Sequence, residues 1–156
     1  MTETTKGKQQ PRGIRNNNPL NIRRSNTKWE GMREVTTDKA FCEFKTMAFG
    51  FRAAFRLLST YWHRHDCRTI SDIINRWAPA SDGNNTHGYI MRVCEECGHK
   101  PDDELPAPDH DNSLTWCHIV LAMAAVENGG YEYLDLKHIR QGWAMAFGKH
   151  YERSEN

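Results

Sequence analysis

No apolar run in the chain is long enough to span a bilayer, which excludes a helical membrane insertion. The first ten residues, MTETTKGKQQ, hold no apolar segment and do not read as a secretory signal. That predicts synthesis in the cytoplasm, with any work outside depending on delivery by another route. A strong net charge is also missing: the formal charge is +1 over 156 residues, so no overall field directs the protein to nucleic acid or a membrane surface. Cysteine is sparse and odd in number. The five thiols, with no secretory signal, read as reduced. Cys94-Glu-Glu-Cys97-Gly-His99 has the look of half a zinc site, but a structural site takes four ligands and a second C-x-x-C is absent. We expect no metal and no cofactor. There is no internal repeat.

What is present is a typical globular composition, 38% hydrophobic and 26% charged, at a length that suits one domain. Charge is uneven. Lys6, Lys8, Arg12, Arg15, Arg23, Arg24 and Lys28 face only Glu3 in the first 28 residues. This is either a solvated arm, the better reading for the polar and disordered-looking residues 1–11, or a surface for an anionic partner.

The most informative stretch runs from Ser113 to Tyr133. Trp116, Ile119, Val120, Leu121, Met123, Ala124 and Val126 leave almost no polar face, which predicts a buried helix. Asn128-Gly129-Gly130 stops it, so Glu127 lies at its C-terminal mouth. The helix dipole and partial burial both disfavour a negative charge there. Two readings follow: a carboxylic acid kept protonated for general acid work, or a side chain past the helix end in solvent.

Elsewhere, Phe51, Phe55, Leu58 and Trp62 share one face of a helix over 47–63, capped by Thr46. Thr69-x-x-Asp72 opens a second helix, ended by Ala78-Pro79. A third spans 86–97 after the turn-rich SDGNNT loop, and a last one spans 135–151. Arg33–Thr36 and Ala40–Phe44 form a hairpin candidate turning at Thr37-Asp38-Lys39. Asn16-Asn17-Asn18-Pro19 favours turns, with a short extended piece at Leu20–Ile22. Residues 98–111, with three prolines and five acids, read as an exposed, mobile linker. The expected fold is mainly α (α+β): one helical domain over 12–151 with one small hairpin and a cleft.

Taken together, Arg12–Arg23 (RGIRNNNPLNIR), Trp29-x-Gly31, Phe41-x-x-Phe44, Gly50-x-Arg52-Ala53, Ile73–Pro79, Asn84–Tyr89 and Glu127-Asn128-Gly129 followed by Tyr131 resemble the small lysozyme-like lysins of bacteriophage particles. The likeness covers residues 12–148. Leu20 stands where the family has glycine, Val126 where it has histidine before the acid, and SDGNNT is one residue longer than its counterpart. The Asn17–Arg23 and Trp29-x-Gly31 elements also resemble the substrate loop of lytic transglycosylases, and Glu127-Asn128-Gly129 their acid-bearing element, but in reversed order. That implies a circularly permuted lysozyme-like domain.

The resemblance implies cleavage of the β-1,4 bond between N-acetylmuramic acid and N-acetylglucosamine in bacterial peptidoglycan, acting in the periplasm or wall. Delivery would be by a virion, a holin or a secretion system. Glu127 would be the acid, Tyr89 its catalytic helper, and Asn17, Asn18, Asn84, Asn85, Asp82 and Tyr131 would bind sugar. With no strongly placed second carboxylate, a lytic transglycosylase is favoured over a muramidase; Asp82, Glu30 and Glu43 are fallback carboxylates. The alternatives are a wall-binding or structural virion part without activity, a peptidoglycan endopeptidase, and nucleic-acid binding through the basic stretch.

Overall fold

The structure is a computed structural model that describes residues 9–155. It is mainly helical. A single turn, α1 (Arg12–Arg15), is followed by a long irregular segment. Then come α2 (Met47–Arg64), α3 (Ile70–Trp77), a short 3-10 turn (Ala80–Asp82), α4 (Thr86–Cys97), α5 (Ser113–Asn128) and α6 (Leu136–Glu155).

Helix α5 is the centre. Trp116, Cys117, Ile119, Val120 and Ala122–Ala125 are buried on every side of it, as an all-apolar helix requires. It packs against α1, α4 and α6, while α6 also lies along α2. Thr46 and Thr69 cap α2 and α3 by accepting the amides of Phe49 and Asp72. Asn112 precedes α5 but does not cap it. Its side-chain amide donates to Ala107 and Asp109 carbonyls instead.

The expected hairpin does not form. Among the described residues there are only isolated antiparallel bridges, Arg23 with Phe41 and Met32 with Phe44. Between 33–36 and 40–44 the backbone pairing stops at the Arg33 amide, which donates to the Glu43 carbonyl at 2.9 Å beside the Met32–Phe44 bridge, and Val35 beyond it is 83% exposed. The reason is Glu43. Its carboxylate accepts the amides of Thr37 (2.9 Å) and Asp38, so the loop closes on a side chain rather than on a ladder.

The Pro-rich linker is not a free strap either. Leu105 is buried, and the indoles of Trp62, Trp116 and Trp143 donate to the carbonyls of Leu105, Pro106 and Pro108. Of the expected tail at 1–11, residues 1–8 lie outside the described residues.

Two glycines permit the close approaches that hold the asparagine loop in place. A Cβ on Gly50 of α2 would lie 2.0 Å from the Asn17 carbonyl oxygen. One on Gly13 of α1 would lie 2.6 Å from Oδ1 of Asn128 and 3.0 Å from Oδ1 of Asn21. The loop is thereby wedged between α2 and the end of α5.

Candidate active site

Glu127 lies in the last turn of α5, inside the helix and half-buried, not beyond it. Gly129 ends the helix in the left-handed region (φ 76°), with its amide and that of Gly130 returning to the Ala125 carbonyl. One carboxylate oxygen, Oε1, accepts from Asn21 Nδ2 at 3.0 Å; the other, Oε2, accepts from the Tyr89 hydroxyl at 3.0 Å. Three distant segments therefore converge: the asparagine loop, α4 and α5. Asn128, next in the chain, donates to the Pro19 carbonyl at 2.8 Å and anchors the loop to the same helix end.

Burial raises the Glu127 pKa above the ordinary carboxylate range. Hydrogen bonding by Asn21, Tyr89 and the Trp77 indole lowers it, but not enough to cancel the burial. Tyr89 is buried, and burial followed by the adjacent carboxylate pushes its phenol well up, so it stays a neutral donor. Its single proton has a second acceptor in reach, the Met123 carbonyl at 3.4 Å. The hydroxyl can thus donate to a Glu127 carboxylate, or turn to Met123 and accept from a Glu127 carboxylic acid. Both protonation states of Glu127 keep a partner.

Glu127 opens into a cleft of about 610 Å³. Trp29, Phe41, Tyr61 and Trp77 supply aromatic surface, and Asn21, Asn84, Asp82, Arg23 and Arg76 supply polar groups. A larger cavity, about 730 Å³, is lined by Glu30, Arg52 and Asp109 among others. Its Glu30 is paired with Arg52 at 3.1 Å, and Glu127 is not part of its wall.

The expected sugar-binding residues divide. Asp82 and Asn84 line the cleft, and Asn84 also donates to the Pro79 carbonyl. Asn17 and Asn18 do not line it. Asn17, left-handed at φ 51°, donates to the carbonyls of Phe44 and Lys45. Asn18 is fully buried and bonds Ile22 and Cys42 backbone. Asn85 caps α4 by accepting from Gly88. Tyr131 lies elsewhere, in a furrow with Arg92, Glu95 and Glu96, donating to Glu96 at 2.9 Å. Of the fallback carboxylates, Asp82 alone shares the cleft with Glu127. Asn21 and Trp77, which bond Glu127, are not among the expected site residues, although Asn21 falls within the Asn17–Arg23 element that carries the resemblance. Among the described residues no group of three His, Cys, Asp or Glu side chains is placed to hold a metal, and no helix is long and apolar enough to cross a membrane.

No protein-family model matches the chain. It is, however, 37% identical over 139 residues to Protein P5 of Pseudoalteromonas phage PM2, an alignment covering 87% of this chain and 82% of that protein. The chain belongs to the Protein P5 family. With 87% of the chain aligned, the family likeness is not confined to one motif.

Proposed function

We propose that the protein is a peptidoglycan-degrading lysin of lysozyme-like, circularly permuted fold that cleaves the glycan strand between N-acetylmuramic acid and N-acetylglucosamine. The observation that carries this reading is the half-buried Glu127, its pKa raised by burial, held by Asn21 and Tyr89 in an aromatic-lined cleft. The phage origin of the Protein P5 relative is in keeping with it. So is the meeting of the asparagine loop with the acid-bearing helix end, two elements far apart in the chain.

Glu127, protonated, gives its proton to the glycosidic oxygen as the bond to the anomeric carbon breaks. Aromatic faces of Trp29 and Trp77 fit the apolar faces of pyranose rings. The resulting Glu127 carboxylate, stabilised by Asn21 and Tyr89, then takes the proton of the muramoyl 6-hydroxyl as that oxygen closes on the anomeric carbon. The product is a 1,6-anhydro sugar, one acid serves both steps, and no cofactor enters. Asp82, the other carboxylate in the cleft, favours a second reading in which a water is activated and a reducing end results.

Digestion of purified sacculi by wild type and Glu127→Gln, with products identified by mass spectrometry, tests both. Anhydro-muropeptides from wild type alone support the transglycosylase, and reducing muropeptides lost in Asp82→Asn support the muramidase. Glycan binding without turnover in either protein supports a structural or wall-binding part and refutes the enzyme.

A further inference from the structure

The basic stretch at the start of the chain is only partly used by the fold. Arg12 pairs with Asp38 at 2.7 Å, and Arg24 donates to Thr36 and to the Asp38 carbonyl. Arg23, which shares the Phe41 ring with Arg12, lines the Glu127 cleft and has no ion-pair partner among the described residues. Arg76, from α3, lines the same cleft and is likewise in no ion pair there. Both guanidinium groups rest on aromatic walls: Arg23 lies 4.8 Å from the Phe41 ring centre and Arg76 5.1 Å from that of Tyr61. A guanidinium has five N–H donors, so one resting on a ring, or in the case of Arg76 also bonded to the Tyr61 hydroxyl, still has donors to offer an anion. Such a fork fits carboxylates and phosphates, and carboxylates are the anions that a peptide-substituted glycan bears.

Resting on the lysin reading, we infer that Arg23 and Arg76 bind carboxylates borne by the stem peptides of the glycan, so that the cleft takes acidic, peptide-substituted strands and discriminates against neutral glycan. The two cations stand on different segments of one cleft, Arg23 on the asparagine loop side and Arg76 on α3. A strand bound in the cleft at Glu127 lies in the same cleft as both.

The test uses soluble peptide-bearing glycan strands, and the same strands with their carboxyls converted to methylamides. Wild type, Arg23→Gln, Arg76→Gln and the double variant are compared for kcat/KM and for equilibrium binding. Each arginine is expected to contribute about tenfold, in KM and not kcat. The double variant should treat the two strands alike, and the wild type should lose on blocked strands what the double variant loses on native ones. Arg76→Lys should recover part of the loss, since charge remains while the fork does not. Should the double variant fail to fold, the blocked strands on wild type decide alone. Equal handling of native and blocked strands by wild type overturns the inference while leaving the lysin reading intact. Arginine-dependent binding of carboxylated strands without cleavage does the reverse. Single-stranded oligonucleotide competing as well as native strand at equal charge would also overturn it, by making the site a general anion groove.

Discussion

Glu43 and Glu127 are both drawn out of water, and they are driven in opposite directions. Glu43 is 2% exposed, and burial is the largest single influence on it, pushing its pKa up. Yet the Asp38 and Thr37 amides and the Arg33 guanidinium, 3.3 Å away, together outweigh that burial, and its pKa falls below the ordinary range. Glu127 is half-buried, but its partners are neutral, the Asn21 amide, the Tyr89 hydroxyl and the Trp77 indole, and its pKa rises. Burial alone therefore does not make an acid. What distinguishes the two is whether the lost hydration is replaced by converging amides and a cation or by neutral side-chain donors alone beside an open cleft.

The sharpest way to test that contrast is isosteric. Glu127→Gln removes the proton donor, and turnover on sacculi should fall by about a thousandfold or more, with thermal stability unchanged or slightly raised. Glu43→Gln should do the opposite. It strands the Arg33 guanidinium and turns an NH₂ towards backbone donors, costing about 3 kcal/mol of stability in urea unfolding, while the specific activity of the folded fraction holds. Equal losses of activity in both variants would break the comparison.

The pH dependence separates them again. Glu43 has a folded pKa below its unfolded value, so its stabilisation is present above the unfolded value, about 4.3, and is lost as the pH falls through the folded one. Glu127 has a folded pKa above its unfolded value. Its charge therefore costs stability increasingly as pH rises from the unfolded towards the folded value. Stability of wild type minus Glu43→Gln should shrink on acidification below about pH 4. Wild type minus Glu127→Gln should become less favourable as pH rises above it. Urea midpoints from pH 3 to 8 read both slopes.

The helices were legible in the sequence because their signals are local. Apolar spacing and the Thr46 and Thr69 caps place α2 and α3 within a residue or so of where they form, and the apolar stretch ending in Asn-Gly-Gly places Glu127 at a buried helix end. What failed depended on which side chain meets which backbone group, near or far in the chain. Residues 98–111 looked like a mobile linker because composition registers their prolines and acids. It does not register the three indoles, at 62, 116 and 143, that fasten their carbonyls. The hairpin failed because Glu43, read as a fallback catalytic carboxylate, closes the loop through its side chain. The asparagines show the same limit. Asn17, Asn18 and Asn21 are alike in sequence, but two face backbone carbonyls and only the third reaches Glu127.

Tyr89→Phe is a subtler change. It removes one hydrogen bond to Glu127, one that lowers the acid's pKa. The acid should therefore titrate higher, and the limb on which activity falls with rising pH should move upward. Loss of a bond to a charged group in the later step should lower kcat by about tenfold to thirtyfold. A downward shift of that limb would mean that the hydroxyl acts on Glu127 as an acceptor, not a donor.

Tyr131→Phe should have the smallest effect, and it bears on how far the site extends. Tyr131 is exposed, and its hydroxyl donates to Glu96, whose other oxygen lies 3.3 Å from His118 Nδ1. An exposed bond of this kind contributes within about 0.5 kcal/mol of stability. The furrow it lines with Arg92 and Glu95 includes none of the residues lining the Glu127 cleft. Removing the hydroxyl should thus leave KM and kcat on short glycan fragments within about twofold. The same variant assayed on long strands carries more information, because a strand that ran past the cleft and on across α4 would reach this furrow. A loss confined to long strands would extend the binding surface around the helix that carries Tyr89. No loss on either length would confine recognition to the cleft, where Asp82, Asn84, Arg23 and Arg76 stand with Glu127.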